Sequence, residues 1–508
     1  MMSVKPNIVI IMADQLRADL RASCGYPIDT MPFLDEWSQG GVDFCRAYTA
    51  NPSCMPARVS MFTGRYCQSH MVRTNHNVND VRYTRDLLDV LKAQGYATAL
   101  CGKNHSHRRP EDFDFANCCM HGGYPRNANR TPEEQAVADF LSGLKSKAAD
   151  VPAPGTVKEQ CPYRIVDDTL RFVDELPPEQ PFFVWASFPE PHPPYQVPAE
   201  YFNLFPPRCL PPHSGPEHIP AKGHRYQWAY DIWGRVMGDE MEQRVLRARS
   251  NYLGMMRLID DQLKRLIEGF EARGLTENTV FLFLADHGDF AGEYGLTRKG
   301  PDLSEALTRI PMIWRGPGIR TLGQEVSSCV NIVDILPTLC HLLDVDTPFG
   351  SQGKSILPLL TGGSYLLGEY DVAYAESGYG GQYWTADDDL DPITEGATKD
   401  YTTFDTLNSW TQSGQVRMVR KGDWKLQLDM MGDGYLYNLR QDPHELRNRW
   451  GDPACAAQQA DMLWTLSVAM MRAADPLPPP RARYRVKTHP HGWWEEPFFC
   501  EDPGITRV

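Results

Sequence analysis

The sequence predicts an α/β fold built on a large, mainly parallel sheet between helices. Strand-like and helix-like segments alternate over the first two thirds of its 508 residues, the pattern of linked strand–helix–strand units. The strand-like segments are short, continuous apolar runs, as expected of strands covered on both faces. Two of them run directly into an aspartate, at Asp14 and Asp286. Ligands of such sheets bind at the carboxyl ends of the strands, so carboxylates far apart in sequence are expected to meet at one site.

Taken in order, Asn7 to Met12 is a β-branched run and reads as the first buried strand. Thr84 to Gln94 carries Leu87, Leu88 and Leu91 at helical spacing and stops at Gly95. Strands are expected at Ala97 to Leu100, Pro181 to Ser187 and Val280 to Ala285. Between the last two, Ala248 to Arg273 is a long amphipathic helix closed by Gly274. Val333 to Leu343 is helical again. Phe205 to Tyr230, rich in Pro, His and aromatic residues, reads as a long irregular insertion, the kind that forms lids and specificity loops.

The character changes towards the end. Val416 to Val419, Trp424 to Leu428 and Tyr435 to Asn438 are short runs parted by Lys-Gly-Asp and Gly-Asp-Gly turns, which predict a small antiparallel sheet. A helix follows over Ala457 to Ala473. A chain this long exceeds one ordinary core, and the expected division is a catalytic α/β domain over 1–370 and a smaller α+β domain over 371–508. The tail, with Pro478 to Pro480, Trp493, Trp494, Phe498 and Phe499, has no core of its own and points to contact with its own domain or a neighbouring subunit, hence a homo-oligomer.

Composition narrows the function classes. With 51 Lys and Arg against 65 Asp and Glu, the net charge is −14. That balance argues against nucleic acid held through its phosphates, though local cations can still bind a small anion. No run is apolar enough to span a bilayer. The run Val9 to Met12 is too short for a signal-peptide core. Together with an odd count of 13 cysteines and no Cys-x-x-Cys pair, this leads to the expectation of a cytoplasmic protein with reduced thiols.

One run carries chemistry. Pro52-Ser53-Cys54-Met55-Pro56-Ala57-Arg58 contains Cys-x-Pro-x-Arg. Pro56 suits a first helical turn, and Met55 to Thr63 reads as helix before Gly64. Cys54 then sits at a helix N-terminus, where free N–H groups and the dipole favour an anion, with Arg58 one turn on along the same face. A helix-start cysteine with a Pro–Arg cap is the structural alternative.

Cys-x-Pro-x-Arg followed by Thr63-Gly64-Arg65 resembles the signature of the sulfatases, within the alkaline-phosphatase-like superfamily. The resemblance implies the sandwich fold of that superfamily and a formylglycine made from Cys54 by a maturation enzyme. In the family the hydrated aldehyde attacks sulfur, displaces the alcohol and then expels sulfate. Asp14-Gln15 and Asp286-His287 resemble the two metal-ligand pairs, with Cys54 completing the set; the Asp-His form is that of the choline-sulfatase, iduronate-sulfatase and phosphonate-monoester-hydrolase branches. Such a set suits Ca²⁺, with Mg²⁺ or, given one imidazole, Mn²⁺ as the other candidates. Lys103-Asn104-His105 resembles the pair that binds a sulfate oxygen and assists the diol. His192, in Pro189-Glu190-Pro191-His192, resembles the acid that protonates the leaving oxygen, and Lys299 the lysine on the bridging oxygen. Asn75 is a further substrate-binding candidate, in competition with His76 and Asn77. Asp334-Ile335-Leu336-Pro337 and Asp442-Pro443-His444-Glu445 with Asn448 are further landmarks of the family's fold.

A lone His or Lys is ordinarily a solvated surface group; it is the order Asp, Cys, Lys-x-His, His, Asp-His, Lys that argues against coincidence. The expected activity is release of sulfate from a small-molecule or saccharide sulfate ester. A phosphonate monoester or phosphodiester hydrolase of the same superfamily is the competing reading, and Lys103 with His105 tilts the balance to sulfate. A silent binding protein would lack a nucleophile or ligand, and none is missing. A thiol hydrolase would need no acidic metal pairs. The acidic run Asp387, Asp388, Asp389 and Asp391 reads as a solvated loop.

Overall fold

The structure, a computed structural model, describes residues 5–125, 130–144, 147–300, 302–320, 325–379, 387 and 414–474. Its strands are β1 (Asn7–Asp14), β2 (Val42–Phe44), β3 (Ala47–Tyr48), β4 (Ala97–Gly102), β5 (Phe115–Cys118), β6 (Phe182–Pro191), β7 (Thr279–Ala285), β8 (Arg309–Ile310), β9 (Met312–Arg315), β10 (Glu325–Val326), β11 (Val330–Asn331), β12 (Val372–Ser377), β13 (Val416–Lys421), β14 (Trp424–Asp429) and β15 (Gly434–Asn438). Eight form the main sheet in the order β10-β2-β9-β7-β1-β6-β4-β5. From β7 to β5 every neighbouring pair is parallel, so these five strands end at one edge. β3, β8 and β11 form a short ribbon, and β12 to β15 form a four-stranded antiparallel sheet.

The parity of β6 shows how the sheet is covered. Phe182 meets Phe270 of the helix Met241–Glu271, with ring centroids 6.2 Å apart. Trp185, of opposite parity, meets Phe62 of the helix Cys54–Thr63 at 5.0 Å. Side chains of opposite parity leave opposite faces of a sheet, so helices cover both. All residues of β1 and β6 are buried, which is why neither strand alternates.

The predicted strands of the main sheet and the C-terminal hairpins stand close to their expected bounds. Three differences have physical causes. The long helix begins at Met241, seven residues before Ala248, since its first turns carry charged residues that hide the apolar period. The segment 205–230 is not irregular throughout: it holds the short helix Ile219–Lys222 and the start of His224–Met237, whose Tyr226, Ile232 and Trp233 pack with Phe290 and Tyr294. The small sheet has a fourth strand, β12, whose pairing with β13 is non-local. The residues 388, 389 and 391 of the acidic run and the aromatic tail lie outside the described residues. Among the described residues no helix is long and apolar enough to cross a membrane.

Candidate active site

Four of the five parallel strands deliver a side chain predicted for the site. β1 loses register with β6 between Ala13 and Asp14, which frees the Asp14 carboxylate from the ladder, and Gln15 follows at φ 69°. β7 leads into Asp286 and His287. β4 leads into Lys103, whose backbone N–H donates to the Ser187 carbonyl at 2.8 Å. Gly102 makes that approach possible: at φ 102°, a Cβ there would lie 2.1 Å from the Ser187 oxygen. β6 continues into His192.

Cys54 is the first residue of the helix Cys54–Thr63, after Ser53 in extended conformation and before Gly64 at φ 63°. Its N-terminus is completed from a distance: the Met55 N–H donates to Asn75 Oδ1 at 3.0 Å. That bond distinguishes Asn75 from its two competitors. Asn77 spends its oxygen on the Arg73 and Thr74 amides, and His76 is exposed.

The sulfur of Cys54 lies 3.0 Å from Lys299 Nζ, 3.2 Å from His287 Nε2 and 3.5 Å from Asp14 Oδ1. His105 and His192 also face it closely enough to interact with it electrostatically. Arg58, wholly buried, spreads its guanidinium over the floor of the site. Nη2 donates to Asp14 at 2.8 Å and Nε to Asp286 at 2.9 Å; Nη1 donates to the Lys103 carbonyl and to Ser187 Oγ at 2.8 and 2.9 Å. Lys103 Nζ pairs with Asp14 as well.

These contacts set the charges. Burial opposes ionisation of Cys54, but Lys103, Lys299 and His287 outweigh it and hold the thiol well below its ordinary range. Burial likewise opposes ionisation of Asp14, and Lys103 and Arg58 overcome it. Burial lowers His192 to about 3 and raises Asp286. The result is an anion-accepting pocket of Arg58, Lys103, Lys299 and imidazoles around two carboxylates.

The donor set fits a hard divalent cation. Ligand atoms of Asp14, Cys54, Asp286 and His287 all lie within 4.8 Å of one another. His287 Nδ1 donates to the Gly288 carbonyl at 2.8 Å, leaving the Nε2 lone pair for the centre, the arrangement typical of a ligating imidazole. Gln15 Nε2 is held by Asp289, and Gln15 Oε1 is buried without a hydrogen-bond partner. A buried, unpaired amide oxygen beside two carboxylates is the group a cation would satisfy.

All eleven residues singled out in the sequence therefore surround one helix N-terminus. Two groups of neighbours were not foreseen. Asp289 accepts from Tyr195 Oη at 2.8 Å and so orients Gln15; its signal was available, three residues beyond Asp286. His121 stacks on His192 and hydrogen-bonds Lys103; it sits in no recognisable motif.

Known proteins resemble the chain in sequence and in fold. The sulfatase family model matches residues 6–345. An arylsulfatase of Clostridium perfringens is 28% identical over 406 residues, covering 74% of this chain and 84% of the relative. A choline-sulfatase of Rhizobium meliloti is 24% identical over 476 residues, covering 90% and 85%. Among solved structures, the phosphonate monoester hydrolase of Agrobacterium radiobacter superposes with a TM-score of 0.72 at 23% identity, over 92% of this chain and 96% of the other; at that identity it speaks to the fold.

Proposed function

Because the chain belongs to the sulfatase family and is a hydrolase acting on sulfuric esters, we propose that it releases inorganic sulfate from a sulfate monoester through an aldehyde made from Cys54. The observation that carries this reading is the position of the Cys54 sulfur: at a helix N-terminus, 3.0 Å from Lys299 Nζ and 3.2 Å from His287 Nε2. In this reading an oxygen of the formylglycine, made by a formylglycine-generating enzyme, would stand near the position of the sulfur. Asp14, Gln15, Asp286 and His287 would hold one cation, with Ca²⁺ first among the candidates, which supplies a Lewis acid beside the nucleophile.

The chain's own residues then divide the work. Lys103 and Lys299 neutralise the sulfate oxygens. Arg58 holds both acidic ligands in place and works against the rise that burial imposes on each. His105, beside the nucleophilic position, takes and returns its proton. His192 reaches the same position from the β6 side; neutral in the resting site, it takes up a proton once the negative charge of bound sulfate offsets the lowering by burial, and passes it to the leaving oxygen. The presence of Lys103 and His105 beside the nucleophile supports sulfate over phosphonate as substrate.

The test is a side-by-side rate assay of the matured protein with an aryl sulfate, an aryl phosphonate monoester and a phosphodiester, each with Ca²⁺ and with Mn²⁺. The expected result is the highest kcat/KM for the sulfate. A phosphonate or diester preferred by orders of magnitude would leave the residue roles standing and replace the substrate class.

A further inference from the structure

The scheme above gives His121 no task. It stands at the tip of a tight turn after β5, closed by reciprocal backbone bonds between Met120 and Gly123 of 3.0 and 2.8 Å. β5 lies beside β4, which carries Lys103, and β4 lies beside β6, which carries His192. His121 reaches both. Its Nε2 is 2.8 Å from Lys103 Nζ. Its ring lies flat on that of His192, centroids 3.5 Å apart and planes within 12°.

The chemistry of these contacts fixes the state of the ring. An ammonium has only donors, and Lys103 is paired with Asp14, so towards His121 it donates. Nε2 of His121 is then the acceptor, and the ring proton is on Nδ1, which is enclosed without a partner. A second charge on a ring stacked at 3.5 Å would repel an imidazolium at His192, whereas a neutral ring offers it a π face. His192 Nδ1 meets the Pro193 carbonyl at 2.6 Å, which holds one edge of that ring. His121 holds its face.

We propose that His121 is a positioning residue that sets Lys103 and His192 in register, accepting a hydrogen bond from the first and backing the ring of the second. This rests on the roles given to Lys103 and His192 above. It separates two functions within one side chain: the acceptor serves the sulfate-binding amine, and the ring serves the leaving-group acid.

The two are separable by substitution. His121→Gln keeps an acceptor without the ring; His121→Phe keeps the ring without the acceptor. Each matured variant is assayed on an activated aryl sulfate and on an alkyl sulfate with a poor leaving group. His121→Phe is expected to lose about ten- to hundredfold in kcat/KM on both, the range for a lost hydrogen bond to a charged group, since Lys103 meets sulfate in both. His121→Gln is expected to lose mainly on the alkyl sulfate. Two readouts need no turnover. Inorganic sulfate binding to Cys54→Ser, followed by calorimetry, should weaken with His121→Phe and hold with His121→Gln. Nitrogen-15 spectra should show His121 Nε2 without a proton. Equal losses in both variants on both substrates, following a common fall in Tm, would overturn the proposal, as would a protonated Nε2. If the parent protein hydrolyses neither sulfate, the sulfatase chemistry fails, while sulfate binding and the tautomer still decide the assignment of His121.

Discussion

Arg58 is the side chain on which the two acidic strand ends depend. Asp14 and Asp286 are both wholly buried, and each has one oxygen on the Arg58 guanidinium at 2.8 or 2.9 Å. A lysine is a point charge on a flexible stem and lacks this planar fork. Arg58→Lys is therefore expected to leave one carboxylate without its partner, at about 3–5 kcal/mol, and to lower turnover at least a hundredfold. Thermal unfolding and the aryl sulfate assay check both, and parent-like values in both would remove Arg58 from the floor of the site. His192 carries a prediction of a different kind. A group that protonates a leaving oxygen matters little when the oxygen leaves easily, so His192→Ala should cost about a hundredfold or more on alkyl sulfates and far less on activated aryl sulfates. Equal losses on the two would refute the general-acid role. At this scale the sequence was legible where side chains follow strand ends or occupy the helix-start motif. Asp14, Cys54, Arg58 and Asp286 were found that way, while Lys103, His105, His192, Lys299 and Asn75 came from the resemblance to the sulfatases. What Arg58 holds was not legible, because its targets lie 44 and 228 residues away. His121 was hidden for a similar reason: its meaning comes from the order of β5, β4 and β6 in the sheet, and that order is not written in any local pattern.

At the scale of elements, the helix Pro32–Ser38 shows how a short segment is fixed from outside. Its first turn has no side-chain cap of its own. The Phe33 and Leu34 amides donate instead to Asp260, in the middle of the helix Met241–Glu271, at 2.9 and 2.8 Å. Burial raises the Asp260 carboxyl to about 7, against those two bonds. An acid whose folded pKa is raised contributes stability fully below its unfolded pKa, near 4, and loses it as pH rises through about 7. Asp260→Asn removes the titration and keeps one acceptor. Between pH 5 and 8 the parent is expected to lose roughly 2–3 kcal/mol more than the variant, read as a steeper fall in Tm. Parallel Tm curves would mean that Asp260 ionises normally inside the fold. Elements with a strong signal of their own, such as the continuous apolar runs of β1 and β7 and the helical period in the later turns of Met241–Glu271, were legible from sequence. Elements stabilised by distant partners were legible only in part: β12 depends on β13 some forty residues away, and His224–Met237 depends on Phe290 and Tyr294.

For the whole molecule, the question is how the small antiparallel sheet bears on a site built by the large one. The link is Lys425 on β14, wholly buried, between Glu305 at 3.1 Å and Glu445 at 2.8 Å. Glu305 also accepts from Tyr48 and Arg420 at 2.9 and 3.0 Å, and its own amide donates to Glu445 at 2.9 Å. Two residues earlier, the Leu303 amide donates to Gln427, also on β14, at 3.0 Å. Residues 303–305 follow closely on Lys299, whose ammonium touches Cys54. The small sheet thus anchors the segment that brings Lys299 to the nucleophile. Lys425→Met fills the space but leaves Glu445 in the interior without its cation, while Glu305 keeps Arg420 and Tyr48; breaking a buried pair in this way costs about 3–5 kcal/mol. It should lower Tm and, because the Lys299 segment is released, weaken inorganic sulfate binding even at temperatures where the protein stays folded. Replacing Glu445 by Gln in the same background removes the stranded charge, keeps an acceptor for the Glu305 amide and should restore part of both losses. A fall in Tm with sulfate affinity unchanged would mean that the small sheet stabilises the fold without setting the position of Lys299. Unchanged values in both would mean that water reaches Lys425 and the network is dispensable.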